Sequence, residues 1–211
     1  FPAEDGIRYV ERSRGLGDVY KRQVKDRGQA LIFVESRRRA ASTARMAGNA
    51  LGRMLSKRQE TELQRIAADI SVHGEKTRLT DDLASCISKG AAFHHAGLNR
   101  EHRRIIEDAF KEGHIKILSA TPTLASGVNL PARTVVIGSY RRFVPGYGMQ
   151  PIKVLEYKQM SGRAGRPQYD DVGEALIIAS SEDEQDYLMT DYVLSQPERI
   201  DSRLAMESAL R

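Results

Sequence analysis

Ala30-Leu31-Ile32-Phe33-Val34-Glu35-Ser36 is the stretch on which the fold turns. Its continuous apolar run is short and lacks polar alternation, which predicts a strand buried on both faces. Ser36 then offers a hydroxyl to cap a helix, and a mixed polar and apolar stretch continues to about Ser71. Gly48 and Gly52 lie inside that stretch, so two helices are expected rather than one.

Outward from this unit the same alternation continues. Thr80-Asp81-Asp82-Leu83 opens a short helix with acidic residues in its first turn and Gly90 as its stop. Ala91-Ala92-Phe93-His94 is a second strand. Asn99 to Glu112 carries Ile105, Ile106, Ala109 and Phe110 on one helical face and is closed by Gly113. Ile115 to Ser119 and Thr134 to Ile137 read as strands, Ile152 to Met160 as a helix ending at Gly162, and Glu174 to Ala179 as a fifth strand. Strands alternating with helices predict an α/β fold, a parallel sheet with helices on both faces. Such sheets bind ligands at the carboxyl ends of their strands, and the unusual residues of this chain are expected there.

Composition bounds the rest. A length of 211 residues suits one domain, or one domain and the start of another. Lys+Arg number 33 against 28 Asp+Glu, a net charge of +5 that is compatible with a polyanionic partner but mild for this length. Cys86 is the single cysteine, so no disulfide forms within the chain and no thiolate-rich metal site is possible. The apolar runs are strand-length and no apolar leader opens the chain, so a cytoplasmic protein with no membrane segment is expected, nucleoid-associated if the source is prokaryotic. Residues 1–23 lack any sustained period. They resemble translated sequencing-adapter read-through at a contig edge and are set aside, the alternative being a disordered arm that touches nucleic acid. Residues 24–196 form the expected domain. Residues 197–211, with a helical pattern from Arg203 to Leu210, read as the truncated start of a following domain.

Three segments carry chemistry. In Gln159-Met160-Ser161-Gly162-Arg163-Ala164-Gly165-Arg166-Pro167, two arginines each follow a glycine directly after a helix. Glycine lets the backbone bend and leaves the guanidinium groups unobstructed, and the arginine fork donates to phosphate in a bidentate way without losing its charge. Such a group can stabilise a transferring phosphoryl, worth about 10³–10⁵ in rate. Taken alone, the segment equally fits a Gly-Arg surface loop. Ser119-Ala120-Thr121-Pro122-Thr123 through Gly127-Val128-Asn129-Leu130-Pro131 leaves a strand end with small residues and hydroxyls that admit a backbone phosphate; it also fits a polar loop. Phe93-His94-His95-Ala96-Gly97-Leu98-Asn99 runs from a strand end into a helix N-terminus, which attracts anions. Its paired histidines invite a zinc site, but no Cys, His or carboxylate set at ligand spacing completes one, and no metal is expected on this chain.

Together, in this order, these segments resemble the second RecA-like motor lobe of superfamily 2 helicases. Gln159-x-x-Gly162-Arg163-x-Gly165-Arg166 resembles that family's motif VI, Ala120–Thr123 through Gly127–Pro131 its motif V, and Leu31–Ser36 its motif IV. The His-His-Ala-Gly-Leu turn and the Gly-Val-Asn-Leu-Pro variant of motif V are similar to the Ski-like branch, and within it to archaeal HelQ-type DNA helicases that work at stalled forks. The resemblance covers residues 24–211. It implies that Arg163 and Arg166 reach an ATP γ-phosphate with Gln159 sensing it, and that Gly127, Asn129, Gly162 and Gly165 border the nucleotide. It implies that Thr121, Pro122 and Thr123, with His95, Ala96 and Gly97, line a single-strand track. It further implies an ATP-driven ratchet running 3′ to 5′ on single-stranded or forked DNA, a winged-helix-like domain after residue 196, and a monomer.

Between motifs V and VI, Tyr140-Arg141-Arg142-Phe143-Val144-Pro145-Gly146-Tyr147-Gly148-Met149 suggests a hairpin tip whose aromatics and arginines suit base stacking. The family places a strand-separating hairpin here, which adds Arg141, Arg142, Phe143 and Tyr147 to the nucleic-acid residues. The chain carries no Gly-x-x-x-x-Gly-Lys-[Ser/Thr] loop and no Asp-Glu-x-His segment. The expectation is that a first lobe supplies them together with the Mg²⁺ ligands, and that this chain alone is inactive on ATP. An RNA helicase of the same branch shares every one of these motifs. A non-catalytic RecA-like nucleic-acid-binding module is the alternative from another class, disfavoured by the retained Gln159, Arg163 and Arg166.

Overall fold

A computed structural model of the chain describes residues 10–11, 28–73, 75–166, 170 and 172–196. The run around Phe33 forms strand β2, Ala30–Phe33, with all four residues buried. It stands at the centre of a six-stranded sheet with β1 (Val10–Glu11), β3 (Ala91–His94), β4 (Ile117–Ala120), β5 (Thr134–Ile137) and β8 (Glu174–Ile178), in the order β1-β8-β5-β2-β4-β3. Every pairing in it is parallel. The inner strands β2, β4 and β5 are buried throughout, which is why their sequences read as unbroken apolar runs rather than alternating ones.

The helices begin where the sequence offers a cap. Ser36 accepts from the Arg39 N–H to open α1, Arg37–Leu51, and Ser56 forms a reciprocal capping box with Gln59 at the start of α2, Lys57–Val72. The break between them falls at Gly52. Gly48 stays inside α1, where its bare Cα packs on Lys89. Thr77 caps α3, Arg78–Ile87, and Asn99 caps α4, Arg100–Lys111. Gly90 and Gly113 end these two segments at φ of +82° and +79°, a region closed to most side chains. The crossover from β2 to β3 runs one way across the sheet, and those from β3 to β4, β4 to β5 and β5 to β8 run the other. With the right-handed crossovers that parallel strands favour, this reversal calls for helices on both faces.

Four features lie outside the sequence expectations. A one-turn helix α5, Thr123–Gly127, follows β4. The helix expected from Ile152 starts at Val154 (α6, Val154–Ser161), after an extended Lys153 at ψ 150°, while the Ile152 N–H donates to the Tyr140 carbonyl at 2.8 Å. That bond closes an antiparallel hairpin of β6, Arg141–Val144, and β7, Gly148–Pro151. After β8, helix α7 (Glu182–Leu188) runs into a π-helical turn, Met189–Val193. Val10–Glu11 adds an edge strand from the segment set aside above; the rest of that segment, and residues 197–211, lie outside the described residues.

Candidate functional site

Because all strands of the sheet point the same way, their carboxyl ends form one edge and their amino ends the opposite one. A four-residue strand separates the two by roughly 13 Å. The sequence-chosen residues divide between these edges.

At the carboxyl edge, the Thr121 N–H donates to the His94 carbonyl at 3.3 Å, which brings the His95–Gly97 turn beside the Thr121–Thr123 segment. The Thr121 and Thr123 hydroxyls are 3.0 Å apart. They border a cleft of about 400 Å³ with Pro122, Glu35, Arg142 and Gln159. The hairpin overhangs this cleft: Arg142 pairs with Glu156 of α6 at 3.0 Å, and the Arg141 guanidinium lies 5.0 Å over the Tyr140 ring. Beyond them Phe143 and Tyr147 are 68% and 77% exposed, and Gly146 and Gly148 take positive φ to shape the tip. The root of the hairpin is fixed by the Tyr192 hydroxyl, which donates to the Ile152 carbonyl at 2.6 Å, and by edge-on packing of Tyr192 against Tyr140 and Tyr157.

Of the three turn residues expected to line a track, His95 keeps its ring inside. It is 3% exposed, stacks on Phe93 and accepts the Gly97 N–H at 3.1 Å. Burial, then the nearby Arg37 guanidinium, holds its pKa below the ordinary histidine value. The groups that the turn offers to solvent are Ala96 and Gly97. Glycine fits closely there, since a Cβ would stand 3.1 Å from the His95 ring and 3.2 Å from the end of the Arg37 side chain.

The paired arginines lie at the amino edge, not at the carboxyl ends. Ala132, just before β5, donates its N–H to the Arg163 carbonyl at 3.0 Å and accepts from the Gly165 N–H at 2.8 Å. The end of motif V and the arginine loop are thus laced together. The Arg163 Nη1 donates to the side-chain Oδ1 of Asn129 at 3.5 Å. Arg166 is not unobstructed, as the flanking glycines suggested. Its Nε and Nη2 donate to the two oxygens of Asp170 at 2.7 and 2.9 Å, and its Nη1 donates to the Gln29 Oε1 at 2.8 Å. Gln29, itself buried, donates to the carbonyls of Phe110 and Ile115. Gly165 has a φ of +87°, and Gly173 presses so closely on it that a Cβ there would fall 2.3 Å from the Gly165 nitrogen. Gly162 ends α6 with its ideal Cβ 3.0 Å from the Lys158 carbonyl. Gly127 is exposed with nothing within 4 Å of such a Cβ, so no contact inside the lobe calls for glycine at that position.

Asp170, Gln29, Gly173 and Lys116 were not among the residues singled out from sequence. Asp170 follows Arg166 by one helical turn's spacing, a signal that could have been read. Gln29 and Lys116 precede strands and carry no motif. Lys116 lies at the same amino edge, just before β4, and burial, then the charge of Arg166, lowers its pKa. Gln159 belongs to the carboxyl-edge cleft and not to this group. An edge bearing Lys116, Arg163 and Arg166 is suited to a polyanion such as a nucleoside triphosphate. Among the described residues no three His, Cys, Asp or Glu side chains converge on a metal position. No helix among them is long and apolar enough to cross a membrane.

A parallel sheet of this order, with the arginine loop laced to the end of motif V, defines the second lobe of a RecA-like motor. The chain belongs to the helicase conserved C-terminal domain family, whose model matches residues 13–168. Its relatives include the ATP-dependent DNA helicases Hel308 of Methanocella arvoryzae, 46% identical over 188 residues, and of Aeropyrum pernix, 47% identical over 208 residues. That of Caldivirga maquilingensis is 43% identical over 189 residues. These alignments take in 89%, 98% and 89% of this chain respectively, and the chain spans only 25%, 28% and 25% of those proteins. The family and relatives agree with superfamily 2 and its archaeal HelQ-type members.

Proposed function

We propose that this chain is the second motor lobe of an ATP-dependent DNA helicase that moves 3′ to 5′ along single-stranded or forked DNA and serves fork repair. The observation that carries the reading is the lacing of Ala132 between Arg163 and Gly165, because the same segment begins at Thr121 on the opposite edge. One stretch of chain, Thr121 to Ala132, therefore joins the arginine loop to the cleft beneath the hairpin. In this reading Arg163 and Arg166 hold the phosphates of ATP, with Asn129 and the open approach at Gly127 beside them. ATP, with Mg²⁺ ligated from a first lobe, supplies the free energy through hydrolysis. Thr121, Thr123, Ala96 and Gly97 hold backbone phosphates, Arg142 and Gln159 flank them, and Phe143 and Tyr147 meet the duplex junction. Such a track grips backbone rather than bases.

The test is an exchange of this chain for the matching segment of the Methanocella arvoryzae relative. The rebuilt enzyme is expected to hydrolyse ATP in response to single-stranded DNA more than to RNA. Replacing Arg163 with Ala should lower kcat by about 10³-fold or more while single-strand affinity holds. Undiminished hydrolysis after that replacement would sink the assignment, and stronger stimulation by RNA would move the substrate to RNA.

A further inference from the structure

We propose that Asp170, backed by Gln29, is the positioning residue of Arg166, fixing its guanidinium in the orientation in which it meets phosphate. This rests on the reading of Arg166 as a phosphate ligand and adds to it the groups that aim the side chain. One carboxylate receives three hydrogen bonds from one residue: the Arg166 backbone N–H at 3.1 Å, Nε at 2.7 Å and Nη2 at 2.9 Å. The backbone anchor and the fork are thereby held by the same group, which settles the rotamer of the whole side chain. Nη1 is held separately by Gln29, whose amide is locked in turn by the Phe110 and Ile115 carbonyls. Together Asp170 and Gln29 engage three of the guanidinium's five N–H donors.

A role in stability alone accounts for this arrangement poorly. The Asp170 side chain is 5% exposed and that of Arg166 25%, and taking such a pair out of water offsets much of its own attraction. The effect on direction is larger, because a bidentate carboxylate fixes the plane of the fork. Arginine is among the side chains that lose most freedom when ordered. Ordering it before the nucleotide arrives removes that cost from the reaction step. The chain is shaped for the purpose: Gly165 turns at positive φ and Gly173 sits against its backbone. The carboxylate also sits among cations. Arg166 first, and Arg133 more weakly, hold its pKa below the ordinary aspartate value, and Lys116 lies close enough to Arg166 for its own pKa to be lowered.

The experiment is a double-mutant cycle on ATP hydrolysis in the enzyme rebuilt around this chain, using Asp170→Asn, Arg166→Ala and the pair, with Asp170→Ala as the harsher variant. Asp170→Asn keeps the shape and loses the charge. It is expected to lower kcat by roughly 100-fold with little change in the KM for ATP, and to add nothing once Arg166 is Ala. A kcat unaffected by Arg166→Ala sinks the phosphate-ligand reading itself. A slow Arg166→Ala beside a wild-type Asp170→Asn overturns the positioning role alone. So does an Asp170→Asn loss that multiplies with that of Arg166→Ala, because Asp170 then acts independently of the arginine. A readout without substitution guards against misfolding: in this chain the Arg166 Nε–H, followed by ¹⁵N NMR, should exchange slowly with water. Exchange as fast as that of an exposed arginine overturns the fixed geometry.

Discussion

The contact of Gly173 with Gly165 leaves no volume for even a methyl group, since a Cβ would approach backbone atoms of Ala164 and Gly165 to within 2.3–2.6 Å. Backbone cannot swing aside as a long side chain can. Gly173→Ala is expected to destabilise the chain by about 1–3 kcal/mol and to displace the arginine loop, measured as a lower urea midpoint. A midpoint equal to wild type refutes the close approach. His95 gives a second residue-scale prediction. Its folded pKa is depressed, chiefly by burial and then by Arg37 and His94, so the unfolded chain takes up a proton more readily. Stability is then full above the ordinary value of 6.5 and declines as the pH falls below it. His94, also depressed by burial but supported by Glu107, adds to the same decline. His95→Phe should flatten the fall in Tm between pH 6.5 and 5, and an unchanged slope refutes the assignment. Residue types were legible in the sequence, but their partners were less so. The spacing of Arg163 and Arg166 marked them at once, whereas the carboxylate and amide that hold Arg166 sit on a loop and before a strand. Nothing local distinguishes Gln29 from a surface glutamine until β2, β4 and α4 converge around it.

At the scale of elements, the hairpin of β6 and β7 makes the clearest prediction. Its outer strand residues and tip are exposed, Phe143 and Tyr147 among them. Phe143→Ala with Tyr147→Ala should therefore change unfolding free energy by no more than about 0.5 kcal/mol. In the rebuilt enzyme the same pair should reduce strand separation several-fold more than ATP hydrolysis. Equal losses in the two assays would remove the wedge role. Strands buried on both faces and helices opened by Ser36, Ser56 and Asn99 were readable, because continuous apolar runs and side-chain caps are local signals. The start of α6 is less legible, because Ile152 follows the helical apolar pattern yet continues the hairpin, and the backbone stays extended through Lys153. The one-turn α5 and the acidic α7 are not legible in the sequence, the first too short to show a period and the second outside the strand alternation.

Over the whole molecule, the separation of the two edges decides how binding and catalysis can be told apart. The carboxyl ends were expected to gather every unusual residue, as in sheets that bind one ligand. Here the arginine loop instead returns with α6 to the amino ends, and neither strand order nor crossover length announces that return. Its consequence is measurable in this chain without any partner. Single-stranded nucleic acid held at the carboxyl edge releases counterions in proportion to the phosphates neutralised there, about 0.7 in the slope of log K against log salt for each. Replacing Arg141 and Arg142 with Ala removes two hairpin cations, so the slope should become shallower by ~1.4 and the affinity should fall at every sequence tested. Replacing Arg163 with Ala removes a cation of the same type from the opposite edge. If the two edges serve different ligands, that substitution leaves the slope for DNA unchanged, even though the same residue is proposed to act in hydrolysis in the rebuilt enzyme. A slope that moves equally for both would mean that the strand crosses the amino edge, and the division of the lobe into a nucleotide edge and a nucleic-acid edge would fall with it.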